Sequence, residues 1–387
     1  MTISRRHALA AGGALLAGAC TSIPLATAGT SPAGSLDALA RRGGRRFGSA
    51  VGMGNPGQIA GAFADPRYLE IVTRECGLIV PENELKWQWT RPSAENFEFR
   101  PLDRMIEWAE QNRLGVRGHT MLWLPPQWYP KWLTEHDFGP RPATAAAAML
   151  TEHIRTVARR YGSRIYSYDV VNEAVQPETG QIRDTVLTRA MGGEALLDLA
   201  FRTARAEAPN AELVYNDYMS WERGTEDETH ITGVLRLLEG FRKRGTPVDA
   251  LGIQSHIRLL KRLPVAQIVA ESEGPWRRFL DAVVAMGYKL VITEFDVNDR
   301  EAPDDIAIRD RMVADYAGAY LDLMFSYPQL RDVMAWGMVD KYSWLTGFNP
   351  RADKSIKRGT PYDLAYRPKP LREAIAASFR SAPVITA

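Results

Sequence analysis

The chain has 387 residues, 45% of them apolar and 24% charged, a composition that suits a globular protein with room for a large core. Its formal net charge is +2, with basic and acidic residues spread along the whole length. No stretch has the basic density that phosphate binding demands, so nucleic acid is not an expected partner.

Residues 1–30 read as a leader, outside the fold. Ser4-Arg5-Arg6 supplies a positive start with a twin arginine, and Ala8 to Ala19 is small, apolar and too short to span a bilayer. This is the pattern of a bacterial export signal of the twin-arginine type, so a periplasmic or extracellular location is expected. Two exits stay open. Leu16-Ala17-Gly18-Ala19-Cys20 is similar to a lipoprotein cleavage box, which would leave Cys20 as a lipid anchor. A soluble-type peptidase would instead cut near Ala26-Thr27-Ala28. Ala17 stands where such boxes usually carry a larger aliphatic residue, which favours the soluble exit. The second cysteine, Cys76, would then have no disulfide partner. No later segment is long and apolar enough for a membrane helix.

Past the leader, short apolar runs recur at intervals of roughly forty residues, a spacing suited to strand-helix units. They are Phe47–Gly52, Gly77–Asn83, Val116–Trp123, Ser167–Ala174, Glu212–Tyr218, Ala250–Ile257, Lys289–Val297 and Asp332–Val339. Helical patterns lie between them, among others at Leu102–Asn112, Ala145–Tyr161, Glu194–Ala208, Thr229–Arg244, Trp276–Gly287 and Ile308–Tyr327. Alternating strand and helix predicts a parallel sheet. Eight units predict an α/β fold closed into a (β/α)8 TIM barrel, as a single domain over residues 40–378. A monomer is expected.

Most strand runs end in polar residues. The second ends Pro81-Glu82-Asn83-Glu84, the third carries His119 and ends at Trp123, and the fourth ends Asn172-Glu173. The fifth ends Asn216-Asp217, the sixth Gln254-Ser255-His256 and the seventh Thr293-Glu294-Phe295-Asp296; the eighth carries Trp336 and Asp340. In a parallel barrel these ends converge on one face. Each residue alone is more often a cap or a satisfied structural donor. Collected on one face, where burial of unpaired polar groups is costly, they predict a site. The 10 tryptophans add to this, because Trp87, Trp89, Trp123, Trp128, Trp132, Trp336 and Trp344 fall among polar neighbours, and flat rings suit the apolar faces of sugars.

Glu173 and Glu294 sit on runs four and seven, near-opposite across a barrel mouth. Two carboxylates flanking one bond meet the requirement for glycosidic hydrolysis, about 5–5.5 Å apart in the retaining version. Asn172 could bond a substrate 2-hydroxyl. His256 could hold Glu294 ionised. Glu173 should be protonated at the start, raised by apolar walls and by the charge of Glu294.

The runs resemble the xylanases of glycoside hydrolase family 10 over nearly the whole chain past the leader. The matching stretches are Pro81-Glu82-Asn83-Glu84-Leu85-Lys86-Trp87, Arg117-Gly118-His119-Thr120-Met121-Leu122-Trp123, Asp169-Val170-Val171-Asn172-Glu173-Ala174 and Tyr215-Asn216-Asp217-Tyr218. They continue with Gly252-Ile253-Gln254-Ser255-His256, Ile292-Thr293-Glu294-Phe295-Asp296 and the run from Trp336 through Asp340 and Lys341 to Trp344. The resemblance implies hydrolysis of internal β-1,4 bonds in xylan, retention of configuration and no cofactor or metal. It implies Glu173 as acid/base and Glu294 as nucleophile, supported by Asn172 and His256. Glu82, Asn83, Lys86, His119, Trp123 and Gln254 fall on sugar contacts of the glycone side, the side of the sugar that receives the enzyme's attack. Trp336 and Trp344 fall on an aromatic lid. One stretch departs: where the family usually continues with His, a small residue and Gln, this chain has Leu124-Pro125-Pro126-Gln127-Trp128.

Other readings are weaker. Gly52-Met53-Gly54-Asn55-Pro56-Gly57 matches a dinucleotide fingerprint, but Pro56 sits where the helix should begin. The 6 histidines show no paired metal-ligand spacing. A non-catalytic xylo-oligosaccharide-binding barrel is the rival from another class, opposed by the presence of both glutamates with Asn172 and His256. A β-glucanase or aryl β-glycosidase on the same scaffold is the third reading, motivated by the altered 124–126 segment.

Overall fold

The computed structural model describes residues 34–54, 61–222, 224–259 and 263–385. The leader with Arg5, Arg6 and Cys20 lies outside the described residues, as do Asn55, Pro56 and Gly57 of the glycine-rich stretch.

Eight parallel strands form the centre: β1 (Arg46–Val51), β2 (Leu78–Pro81), β3 (Gly115–Trp123), β4 (Ser167–Asn172), β5 (Glu212–Asp217), β6 (Ala250–Ile253), β7 (Lys289–Asn298) and β8 (Leu330–Ala335). Each pairs with the next, and β8 pairs with both β7 and β1, so the sheet closes. Closure removes every free edge. The strands are covered on both faces, which is why they appear in sequence as continuous apolar runs rather than alternating ones; β2, β4 and β6 are buried at every position. The sixth run is broken. After Ile253 the chain bulges at Gln254 and Ser255, and His256–Arg258 then pairs with Asp296–Asn298.

The outer ring comprises α1 (Pro66–Glu75), α2 (Arg100–Gln111), α3 (Pro142–Tyr161), α4 (Gly193–Glu207), α5 (Thr225–Arg244), α6 (Val265–Ala285), α7 (Ile306–Phe325) and α8 (Pro370–Ser381). Their ends follow local chemistry. Asp65 caps α1 by accepting from the Arg67 N–H at 3.0 Å, with Pro66 in the first turn. Asp305 caps α7 through the Ile308 N–H at 2.9 Å. Gly245 ends α5 in the left-handed conformation, φ +63°. Helix α6 begins at Val265 rather than at Trp276, and Pro275 lies inside it. A further helix, Leu36–Arg42, packs against α8 and straddles the expected boundary at residue 40. Among the described residues no helix is long and apolar enough to cross a membrane.

Two glycines allow close approach inside the barrel. A Cβ on Gly48 of β1 would stand 2.6 Å from both Leu78 and Met334, its neighbours on β2 and β8. A Cβ on Gly252 of β6 would stand 2.5 Å from Asn216 Oδ1. The N-terminal end of the barrel is tied by charge. Arg46 makes paired bonds of 3.0 and 2.8 Å to Asp332, which also accepts from the Tyr166 hydroxyl at 2.7 Å. Higher up, fully buried Arg117 donates to Asp169 at 2.7 Å. The opposite mouth is left for the polar strand ends.

Candidate active site

Strand β4 ends at Asn172, and the next residue turns sharply. Glu173 has φ +56°, a left-handed conformation that costs a non-glycine residue free energy and persists only when its surroundings impose it. Its N–H donates to the Asn216 carbonyl at 2.8 Å. Its own carbonyl accepts from Arg183 Nε at 2.9 Å, and Arg183 also donates to the Tyr218 hydroxyl at 2.7 Å. The carboxyl is thereby aimed into the cleft. Its Oε1 accepts from Gln254 Nε2 at 2.9 Å and from Asn172 Nδ2 at 3.3 Å. Burial drives its pKa up; Gln254 and Trp123 pull it back, and the charges of Asp217 and Glu294 push it up again, so it stands above the usual carboxylate range. Trp123 Nε1 makes no well-formed hydrogen bond, so its pull is that of a nearby N–H dipole.

Glu294, on β7, is buried in a different environment. Its Oε1 accepts from Asn216 Nδ2 at 2.8 Å, and His256 Nε2 lies 3.3 Å from Oε2. His119 Nδ1 lies 3.9 Å from Oε1. Burial alone would raise this carboxyl, but the pull of His119 and His256 outweighs it and holds the group below its ordinary value. The other nitrogen of His256 lies 2.9 Å from Asp296 Oδ1. Burial disfavours its charge, yet Asp296 and Glu294 together hold its pKa up to about 10. Both ring nitrogens therefore donate to carboxylates. The two glutamates thus have opposite pKa displacements within one mouth, which is the pattern of an acid and a nucleophile.

An amide chain joins them. Asn216 Nδ2 faces both Glu294 Oε1 and, at 2.9 Å, Asn172 Oδ1, while Asn216 Oδ1 accepts from Thr293 Oγ1 at 2.7 Å. A carboxylate only accepts, so the orientation of the Asn216 amide is fixed. Gln254 Nε2 also approaches Asn172 Oδ1 at 3.3 Å. Gln254, expected among the sugar contacts, spends its amide nitrogen on this network.

The walls collect the remaining expected residues. Buried Lys86 donates to Asn83 Oδ1 at 3.0 Å, and its charge faces Glu82, Glu294 and Glu173. Burial pushes Glu82 up to about 7 against the pull of Lys86, with Glu84 and Glu294 adding to the rise. Lys86 Nζ stands 4.4 Å from the centroid of the Trp123 ring. Trp336 meets His119 edge-on at 5.3 Å, and Trp344 meets His256 at 4.8 Å. The twelve expected residues come from β2, β3, β4, β6, β7 and β8 or from the segments that follow them: His119 and Glu294 lie within β3 and β7, and Trp344 opens a short turn, Trp344–Thr346, beyond β8.

Four supporting residues went unassigned from sequence. Asn216 pairs with Asn172 in register across β4 and β5, so the shared strand-end position was the available signal. Asp169 bonds His119 Nδ1 at 2.9 Å as well as Arg117. Asp296 orients His256 and accepts from Trp344 Nε1 at 2.7 Å. Arg183 comes from the loop after β4 and no strand pattern points to it. In the departing segment Leu124 is buried and its N–H donates to the Asn172 carbonyl at 3.1 Å, while Gln127 is exposed on a short turn, Pro126–Trp128. Among the described residues no group of three or more His, Cys, Asp or Glu is arranged to hold a metal.

The sequence profile of Glycosyl hydrolase family 10 matches residues 35–378. The chain belongs to glycosyl hydrolase family 10. Members of this family are retaining glycoside hydrolases, and so is this enzyme. Endo-1,4-beta-xylanase B of Thermotoga neapolitana is 29% identical over 311 residues, covering 80% of this chain and 82% of its own. Endo-1,4-beta-xylanase D of Talaromyces funiculosus is 32% identical over 321 residues, covering 82% and 72%. Native xylanase 10B of Thermotoga maritima superimposes with a TM-score of 0.75 at 28% identity, covering 89% of this chain and 98% of that one.

The His256–Glu294 contact makes a pH prediction. His256→Asn removes the cation that helps keep Glu294 ionised. The acid limb of kcat/KM should then move to higher pH by about one unit. A pH profile with an unmoved acid limb would show that His256 does not set the Glu294 charge.

Proposed function

We propose that this enzyme is an endo-β-1,4-xylanase, with Glu294 as nucleophile and Glu173 as acid and then base. The observation that carries the reading is the pair of buried carboxyls whose pKa values are displaced in opposite directions, Glu173 upward by burial and Glu294 downward by His119 and His256. Gln254 and Asn172 both donate to Glu173 Oε1, so the acidic proton belongs on Oε2. That proton goes to the glycosidic oxygen as Glu294 attacks the anomeric carbon, and the leaving sugar departs neutral. The new ester bond removes the Glu294 charge. Glu173, now ionised, takes a proton from water, whose oxygen attacks the same carbon and frees Glu294. Two attacks from opposite faces retain configuration.

Glu82, Asn83, Lys86 and His119 supply polar contacts on the glycone side, with Trp123, Trp336 and Trp344 as apolar surfaces. The named relatives are endo-1,4-β-xylanases, which supports xylan as the polymer. The test is release of new reducing ends from xylan and from β-1,4-glucan. Xylan cleavage is expected. Cleavage of glucan alone would keep the mechanism and move the specificity, with Leu124–Pro126 the first suspects. Tight xylo-oligosaccharide binding without release would overturn the enzyme reading.

The reading includes a monomer that needs no cofactor and export through the twin-arginine leader. Replacing Arg5 and Arg6 together by lysine should strand the enzyme in the cytoplasm on cell fractionation. Release of the Cys20→Ala variant from membranes, against retention of the wild type, would favour lipid anchoring over the soluble exit.

A further inference from the structure

The segment that departs from the family pattern does more than lose two side chains. Between buried Leu124 and buried Tyr129 it makes a short turn rich in proline, closed by the Trp128 N–H donating to the Pro125 carbonyl at 3.1 Å. That turn holds Trp128 outward with 47% of its surface exposed. A single exposed tryptophan is ordinary. This one is stacked on a ring of the site. Trp128 lies parallel to Trp123, with 5.0 Å between centroids and 6° between planes. Trp123 in turn stands over Lys86 Nζ and adjoins Glu173.

We propose that Trp128 is an added carbohydrate platform on the glycone wall of the cleft, taking the third and later sugar rings from the cleaved bond. Trp123 covers one face of the indole, and nearly half of Trp128 stays exposed. Glu82, Asn83 and Lys86 lie on this side and account for the rings nearest the bond. The platform extends that wall outward. Its occupant is the distal part of the same β-1,4-linked chain, because an apolar ring continuous with the cleft meets that chain first. The platform makes chain length a determinant of substrate choice. The proposal rests on the xylanase reading.

Nitrophenyl β-glycosides of xylobiose, xylotriose and xylotetraose measure it, since the aryl group takes the leaving-group side. Trp128→Ala should raise KM for the three- and four-ring substrates by roughly five- to tenfold, with kcat and the two-ring substrate unchanged. Trp128→Tyr should restore much of the loss. Equal loss at all lengths would reduce Trp128 to a support for Trp123, and no loss at any length would remove the platform. Calorimetry with xylopentaose on Glu173→Gln, with and without Trp128→Ala, reads binding apart from turnover. Weaker binding with Trp128→Ala in a protein that cleaves nothing would keep the platform and sink the xylanase reading. Unchanged binding in a protein that does cleave would do the reverse.

Discussion

Glu294→Ala should lower kcat/KM on xylan by at least about a thousandfold, equivalent to about 4 kcal/mol of lost transition-state stabilisation. Asp296, the other carboxylate that β7 brings to the mouth, is already engaged by His256 and Trp344. Glu82 is held up to about 7 by burial and stands with Lys86 and Asn83 on the other wall. The substitution removes the acceptor for Asn216 and His256 but leaves the Asp296 partner of His256 in place, so the fold should persist with a thermal midpoint within a few degrees of wild type. The vacated space also gives a positive readout. Added azide should restore turnover of an activated aryl β-xyloside and yield an α-glycosyl azide, because the small anion attacks from the face Glu294 used. A folded variant with near-wild-type xylan cleavage would remove Glu294 from the mechanism.

Glu173→Ala should split substrates by leaving group. Xylan leaves as an alkoxide and needs the proton, so its cleavage should fall by about 10²- to 10⁴-fold. A nitrophenyl xylobioside leaves unaided, so its first step should stay fast and the second, which needs Glu173 as base, should become limiting. The expected trace is a burst of one nitrophenol per enzyme followed by slow turnover. A uniform loss on both substrates without a burst would point to misfolding or to another acid. The same residue fixes the alkaline limb of activity. Activity requires Glu294 ionised and Glu173 protonated. The first carboxyl is held low and the second high, so activity falls as pH drops through the Glu294 value and as it rises through the Glu173 value. His256, held up to about 10, stays charged across that window and contributes neither limb.

Much of this fold is legible in the sequence for one reason: a closed parallel barrel buries both faces of each strand, so strands such as Ser167–Asn172 stand out as apolar runs. Helix α1 is harder to see. Its buried set includes Glu75, which is kept inside by the Leu36 N–H, the Tyr362 hydroxyl and Arg372, and such long-range pairing leaves no local trace. In α6 the proline at 275 suggests a start where the helix in fact continues. The two catalytic candidates are readable as strand-end carboxylates. The φ of +56° that aims Glu173, and the Arg183 and Tyr218 contacts behind it, depend on the loop after β4 folding back. The role of Asn216 depends on the register of β5 against β4 and on the missing side chain of Gly252. The segment from Leu124 to Trp128 shows only as a mismatch; the stacking of Trp128 on Trp123 needs the turn that the prolines impose.

The most direct test of the central claim is proton NMR of xylohexaose during the first minutes of cleavage, before the anomers equilibrate. The account predicts new reducing ends at internal bonds, formed first as the β-anomer. First appearance of the α-anomer would contradict the double displacement by Glu294 and Glu173, and an unchanged spectrum would contradict the xylanase itself.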